Sequence, residues 1–180
     1  MGVLRAPDSG VGSLFPLRRW WLVVLAFGLQ LIASRVLGTN EEYRVLKIGL
    51  LVFSYALLLL ALWANRERWG VRILGVGITL NLIAMLANGG LMPVSPVARE
   101  ASGRQAAAPV DEVGSLVPYS KDVLLHPEQT NLYPLTDVII VGSPVNKAIS
   151  PGDVIMLAGF LVTMVEAVAR SRAAAPLAGG

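Results

Sequence analysis

Four long apolar runs constrain this chain more than any other feature of its sequence. They cover residues 20–37, 45–63, 71–87 and 153–169, and each is 17 to 19 residues long. A helix crosses the hydrocarbon core of a bilayer with about 17–25 apolar residues. Only 15% of the residues are charged, against about 25% in a typical soluble domain. The sequence therefore predicts an all-α, polytopic membrane protein with four transmembrane helices.

The residues at the ends of the runs support this interpretation. All four tryptophans lie there, as expected if they form an aromatic belt at the membrane surface: Trp20, Trp21, Trp63 and Trp69. The connections 38–44 and 64–70 are short, so the first three runs are predicted to form two antiparallel helical hairpins. The third connection, 88–152, is a long loop.

The distribution of Lys and Arg predicts the orientation. Short segments on the N-terminal side of the membrane contain eight arginines, and those on the opposite side contain three basic residues. The two sets are Arg5, Arg18, Arg19, Arg66, Arg68, Arg72, Arg170 and Arg172 against Arg35, Arg44 and Lys47. Cytoplasmic loops carry the excess of basic residues, and long loops count little. Both termini are therefore predicted to be cytoplasmic, and the long loop is predicted to lie on the outer side of the cell membrane.

This topology divides the chain into three parts. Residues 1–19 form a cytoplasmic N-terminal segment, 20–169 the four-helix membrane domain with outer loop 88–152, and 170–180 a cytoplasmic tail. The first run also has features of a cleaved signal peptide, including Arg18–Arg19 and small residues near its end. Since its apolar character continues through Val36 and Leu37, we expect it to be retained as a helix.

The composition excludes several classes of site. The chain has no cysteine and one histidine, His126, so thiolate chemistry is excluded and a catalytic zinc site is not expected. No nucleotide-binding or hydrolase motif occurs. We predict no cofactor and no metal. The basic pI of about 9.6 is attributed to topology, so the expected partner is the lipid bilayer, together with other membrane proteins or further copies of the chain, and not nucleic acid.

The long loop contains eight of the eleven prolines, which argues against a long helix, and it lacks the alternation typical of strands. Its centre, 99–112, has the composition of a flexible linker. The apolar piece Leu135–Val141 is too short to span the membrane. We expect it to form a half-helix, lying in the interface or dipping into the membrane, packed on the outer rim of the bundle.

Two aspartates on the outer side are the first candidates for chemistry. Ser150 and Asp153 have the spacing of a reciprocal helix cap at the start of the last run. The simplest interpretation is that Asp137 and Asp153 cap two separate short helices, in which case their mutational effects would be additive. The alternative is that the two carboxylates converge to bind a cation or to act as acid and base.

A second group of candidates lies where the third run ends. Asn88, Gly89 and Gly90 fit a helix C-cap with a left-handed glycine. The functional alternative is that these glycines allow a headgroup or substrate to approach the backbone closely. Met92 and Pro93 are expected to anchor the turn of the chain back onto the bundle. Together with Asp137 and Asp153, these residues define a candidate outer-face site.

Three motifs link this chain to other proteins. NGGLMPV at 88–94, LTDVI at 135–139 and SPGDVI at 150–155 occur in this order. The sequence from about Lys47 to Ala169 resembles a bacterial membrane-protein family known only as a domain of unknown function. The resemblance implies a membrane location and topology, and it implies no catalytic role.

The sequence leaves three function classes open. The favoured one is a non-catalytic membrane component or accessory subunit. A small transporter or channel-like oligomer is less favoured because no charged residue lies at the centre of a run, and Glu166 is near an end. A membrane enzyme acting on a lipid or lipid-linked substrate at the outer face is the third class. It would require Asp137, Asp153 and Asn88 to surround a pocket.

Overall fold

The computed structural model describes residues 17–102 and 112–174, with the side chains of 171–174 left aside. The expectations for the N-terminal segment, for most of the loop centre and for the end of the C-terminal tail therefore lie largely outside the described residues.

Five α-helices and four short strands form the described part of the chain. Helix α1 is Trp20–Leu31 and continues as a π-helical segment, Ile32–Val36; α2 is Arg44–Trp63, α3 is Trp69–Ala87, α4 is Pro96–Ala101 and α5 is Pro151–Ala174. The strands are β1 Met92–Val94, β2 Asp122–Leu124, β3 Ile139–Val141 and β4 Lys147–Ile149. Short 3₁₀ turns lie at Glu41–Tyr43, Pro127–Gln129 and Tyr133–Leu135.

Three of the helical segments are long and apolar enough to cross a membrane: Glu41–Trp63, Trp69–Ala87 and Pro151–Arg170. The apolar helix Trp20–Val36 is shorter. Their bounds follow the four apolar runs closely, because an uninterrupted apolar segment in lipid must satisfy its backbone hydrogen bonds internally. The prediction of a mainly helical membrane protein is confirmed at this level.

Helices α3 and α5 pack antiparallel with their backbones almost in contact. A Cβ added to Gly77 would lie 2.5 Å from the carbonyl oxygen of Gly152, and one added to Gly159 would lie 2.5 Å from the backbone nitrogen of Leu74. Small residues at such positions are what allows membrane helices to approach closely. Glycines at 49 and 75 make no contact of this kind.

Polar side chains within the apolar helices bond in three ways: to a side chain of another helix, to the backbone of their own helix, or to the backbone at the start of another helix. Gln30 of α1 donates to the hydroxyl of Ser54 in α2 at 3.0 Å, and Asn81 of α3 bonds to the start of α5. Thr79 and Thr163 instead donate to carbonyl oxygens of their own helices. Glu166 of α5 accepts from the backbone N–H of Trp69 at 3.0 Å, so it caps the beginning of α3.

The long loop between α3 and α5 forms a folded cap, and two expectations about it were wrong. First, it contains sheet: β1 pairs in parallel with β2, and β3 pairs in antiparallel with β4. Second, Leu135–Val141 is not a half-helix. Leu135 ends a 3₁₀ turn, and Ile139–Val141 is strand β3. Strands of three residues are too short to show the alternation that identifies a strand in sequence.

The helix bundle has two ends of different character. The end where α3 finishes, α5 begins and the folded loop lies is the cap end. The opposite end, where α1 and α3 begin and α2 finishes, is the arginine end.

Candidate functional site

A polar centre lies at the cap end, where α3, α5 and the folded loop meet. Asn81, which is 1% exposed, donates to a carboxylate oxygen of Asp153 at 2.8 Å. Its own amide oxygen accepts from the hydroxyl of Ser150 at 2.7 Å. An asparagine in the apolar helix α3 therefore fixes the start of α5 by two hydrogen bonds.

The start of α5 is capped as its sequence indicates. The backbone N–H of Asp153 donates to the Ser150 hydroxyl at 3.0 Å, and the backbone N–H of Ser150 donates to the Asp153 carboxylate at 3.2 Å. This reciprocal arrangement satisfies backbone donors that an isolated helix would leave unpaired. Asp153 is therefore held by both its own helix and Asn81.

Asp137 occupies a different environment, and the expectation that it caps a short helix was wrong. It follows the turn Tyr133–Leu135, it is 2% exposed, and its backbone N–H donates to the carbonyl of Pro93 at 3.3 Å. The parallel bridge between Val94 and Asp137 places it on one edge of β1, while β2 lies on the other edge. Sheet pairing thus brings a buried carboxylate to the centre of the cap.

Lys121 is a buried cation beside these carboxylates, and its charge acts on them more strongly than that of the exposed Lys147. It immediately precedes β2, and its carbonyl oxygen accepts from the N–H of Met92 at 3.1 Å. Its ammonium group is buried, and no hydrogen-bond acceptor for it lies among the described residues. Asp137, Asp122, Asp153 and Tyr55 all lie within its electrostatic range.

The pKa values follow from burial and from these neighbours. Burial raises the pKa of Asp137 to about 7 in spite of the opposing charge of Lys121, and the carboxylates of Asp122 and Asp153 add to the rise. Burial acts to lower the pKa of Lys121, but the negative groups around it outweigh that effect and leave the pKa above its usual value. Lys121 therefore stays charged at neutral pH, whereas Asp137 can gain or lose a proton.

This arrangement links the two aspartates that the sequence treats as separate caps. Each lies within electrostatic range of Lys121, and the charge of Asp153 also raises the pKa of Asp137. Their effects on stability should therefore be coupled, because residues that share a charged partner are not independent. The cation that they share is a lysine of the chain. No group of three His, Cys, Asp or Glu side chains suited to a metal occurs among the described residues.

The end of α3 is fastened to the loop rather than open to a ligand. The side chain of Asn88 accepts from the N–H of Asn131 and donates to its carbonyl, both at 2.8 Å. Gly90 has a φ of +90°, and its N–H donates to the carbonyl of Met85 at 2.7 Å, as in a helix C-cap. A side chain at Gly90 would also overlap Ile48. Gly89, with a φ of +75°, has open space around it.

The remaining candidates, Met92 and Pro93, are fully buried in β1. Near them is a cavity of about 10 Å³, which is close to the volume that one water molecule needs. It is lined by Val94, Arg99, Ser102, Val117, Asp122 and Ala148. Asn88, Asp137 and Asp153 do not line it.

The sequence identified some of this centre and missed the rest. Asn81 carried a signal, since an amide in an apolar run requires a partner, but the partner was not evident. Lys121 and Asp122 carried none, because a charged residue in a long loop is usually solvated. Their burial depends on pairing between β1 and β2, which are separated by 27 residues of chain.

The comparison with known families assigns the chain to one of them. The model for a family of unknown function, DUF5317, matches residues 14–165. The chain belongs to this family. The resemblance to a domain of unknown function is therefore confirmed, and the match takes in the residues of the polar centre. No curated protein and no solved structure matches the chain.

Proposed function

We propose that this protein is a small, multi-pass component of the cell membrane, with four spans, both termini in the cytoplasm and the cap outside. Three helices of sufficient length and a shorter apolar one support the four spans. The excess of arginines at the arginine end supports the orientation. The absence of native cysteine makes a direct test possible.

Single cysteines at Glu67 and Tyr119 test this topology, since both side chains are exposed and they lie at opposite ends of the bundle. A membrane-impermeant thiol reagent applied to intact cells should label Tyr119→Cys and spare Glu67→Cys. Both should react after the membrane is permeabilised. Labelling of Glu67→Cys alone in intact cells would reverse the orientation.

Within that topology, we propose a non-catalytic role as an accessory subunit of a membrane assembly. The observation that carries this is the closed cap. Asn88 and Asp153 bond to other segments of the chain, Met92 and Pro93 lie buried in β1, and the cavity beside β1 has a volume of about 10 Å³. Small-molecule sites usually have volumes of about 300–1,000 Å³. A closed, folded surface suits contact with another protein better than turnover of a substrate.

The second candidate is a membrane enzyme that acts on a lipid or lipid-linked substrate at the outer face. The observation that favours it is Asp137, whose pKa is raised to about 7 beside the buried Lys121. Strongly shifted pKa values are common at catalytic sites, although structural charge networks produce them too. The closed cap makes this the weaker candidate.

Purification from native membranes in a mild detergent separates the two candidates. An accessory subunit should be isolated with a second membrane protein at fixed stoichiometry, measured by native mass spectrometry. Deleting the gene for the chain should then reduce the amount or the activity of that protein. When the chain is returned to the deletion strain, the variant Asp137→Asn should restore the assembly as well as wild type does. Lys147→Met, a substitution at the exposed surface of the cap, is compared in the same strain.

Two results would contradict the accessory role. One is turnover of a lipid substrate by the isolated chain that Asp137→Asn abolishes, which would establish the enzyme. The other is ion or solute flux through liposomes containing only this chain, which would indicate a small transporter or channel-like oligomer.

A further inference from the structure

A second polar feature lies at the arginine end, about a bundle length from the cap. It is a surface cleft of about 420 Å³ between the start of α1 and the connection from α2 to α3. Its volume falls within the range of ligand sites. It is lined by Arg18, Arg19, Trp63, Ala64, Arg66, Glu67 and Arg72.

The charge of this cleft is unbalanced. Four arginines and one glutamate are among the residues that line it. In the part of the chain that the structure describes, no carboxylate lies within ion-pair distance of Arg18, Arg19, Arg66 or Arg72, whereas Arg44 at the cap end pairs with Glu41 at 2.9 Å. Like charges repel when they converge, so an arrangement of this kind is stabilised by an anion.

The backbone that carries the arginines is held in place. Asn65, which is 3% exposed, accepts from the N–H of Arg18 at 2.7 Å and donates to the carbonyl of Arg18 at 2.8 Å. The same amide nitrogen donates to the carbonyl of Ala61 at 2.7 Å. One buried asparagine thus fixes the Arg18–Arg19 pair against the end of α2.

The other two arginines are positioned by aromatic rings. The guanidinium carbon of Arg66 lies 4.4 Å from the centroid of the Trp63 ring, and that of Arg72 lies 4.6 Å from the Trp69 ring. Arg72 also donates through Nε to the carbonyl of Arg66 at 2.7 Å. Stacking leaves the edge of a guanidinium group available for hydrogen bonds to a ligand.

We propose that this cleft binds the phosphates of an anionic lipid headgroup. Guanidinium groups bind phosphate through paired N–H donors, and the cleft lies beside Trp63 and Trp69, at the ends of two apolar helices. Basic pockets of this type on the cytoplasmic side of membrane proteins accept anionic headgroups. Four arginines against one carboxylate favour a headgroup with two phosphates over one with a single phosphate.

Topology alone does not account for this geometry. An excess of basic residues on one side orients a membrane protein wherever those residues lie. Arg170, at the same end of the bundle, is exposed and does not line the cleft. The convergence of four arginines, their stacking and the clamp by Asn65 therefore require a local explanation, and a bound phosphate group provides one. This proposal does not depend on the accessory role.

The test uses the full chain, purified in a neutral detergent and stripped of lipid. Native mass spectrometry measures how much of three added lipids the chain retains. Cardiolipin has two phosphate groups, phosphatidylglycerol has one, and phosphatidylcholine has one phosphate that its own choline cation neutralises. Retention should decrease in that order. Arg18→Gln/Arg72→Gln should weaken cardiolipin binding about tenfold or more, and the matched control Arg170→Gln should leave it unchanged.

Two further variants separate a built site from general electrostatic attraction. Asn65→Ala keeps every charge and should still weaken cardiolipin binding, because the Arg18–Arg19 backbone loses its clamp. Glu67→Gln removes the one carboxylate and should strengthen binding severalfold, a gain that misfolding does not produce. If Asn65→Ala does not fold, the arginine and Glu67 variants decide the question.

Three results would overturn the proposal. The first is equal retention of cardiolipin and phosphatidylcholine. The second is that Arg170→Gln weakens cardiolipin binding as much as Arg18→Gln/Arg72→Gln does. The third is that Arg18→Gln/Arg72→Gln leaves cardiolipin binding unchanged. Inorganic pyrophosphate supplies the same chemistry without a lipid. If it stabilised the folded chain at concentrations similar to those of cardiolipin, the ligand would be a soluble phosphate and the assignment to lipid would be wrong.

Discussion

The two ends of the bundle manage charge in opposite ways. At the cap end, Lys121 is buried among carboxylates, and Asn81, Ser150 and Asp153 bond to one another. At the arginine end, four arginines face a cleft that has a single carboxylate. The cap end is balanced internally, as expected of a structural element. The arginine end has a charge excess that an external anion would balance.

This difference predicts where mutations affect stability and where they affect binding. Charges that are buried and mutually balanced contribute to folding, because removing one leaves the others uncompensated. Exposed charges contribute little to folding, since solvent already screens them. Four predictions test this contrast, from the largest expected effect to the smallest.

Lys121→Met should cause the largest loss of stability, about 3 kcal/mol. The substitution removes the positive charge beside the buried Asp137 and the half-buried Asp153. Thermal unfolding in detergent measures the loss. Lys147→Met removes an exposed lysine of β4 whose charge also reaches Asp137 and Asp153, but solvent screens it, so the loss should be at most about 1 kcal/mol. Equal effects of the two substitutions would show that the charge at Lys121 is solvated.

The stability of the cap should fall as the pH rises from 5 to 8. Asp137 has a pKa of about 7 when folded and about 4 when unfolded, so the folded state binds more protons between these values. Its contribution is complete below about pH 4 and is lost as the pH rises through 7. The part lost above pH 5 amounts to about 2.6 kcal/mol.

The control for this titration is Asp137→Asn, which removes the group. The difference in melting temperature between wild type and this variant should change with pH over the same interval. Substitutions at the arginine end should leave the pH dependence as it is. A parallel pH profile for wild type and Asp137→Asn would contradict the raised pKa.

The contact between α3 and α5 extends to both ends and gives a third test. A Cβ at Gly152 would overlap the side chain of Asn81 at the cap end, and one at Gly70 would overlap Thr163 at the arginine end. Each alanine substitution should cost about 2 kcal/mol through overpacking. Only Gly152→Ala should also alter the pH dependence of stability, because the added methyl group displaces Asn81 from Asp153. If both variants altered it, the two ends would be coupled through the helices.

Arg66→Gln should have the smallest effect on folding. An exposed guanidinium group over an aromatic ring contributes about 0.5–1 kcal/mol, and the repulsion from the other arginines of the cleft offsets part of that. The free energy of unfolding in detergent should change by less than about 1 kcal/mol. A loss comparable to that of Lys121→Met would mean that the arginine end, like the cap end, is a structural element.

The apolar runs determined the helices on their own, because in lipid a long apolar segment has no alternative to internal hydrogen bonding. The cap of α5 was also predictable, since Ser150 and Asp153 are close in sequence and satisfy the same helix end. Local rules thus predicted the apolar helices and the cap of α5, but not the short helix α4 or the 3₁₀ turns. They misplaced Leu135–Val141, where a three-residue strand carries too little pattern to identify.

Only the tertiary structure decided which charges are buried together. Lys121 and Asp137 lie on opposite edges of β1, and that proximity depends on pairing between segments that no local propensity brings together. Arg18, Arg19, Arg66 and Arg72 were visible in the sequence as topology signals, but their convergence depends on Asn65 and on the packing of the start of α1 against the end of α2. Composition determines how many charges a chain has, whereas burial and distance, which only the folded chain sets, determine what those charges do.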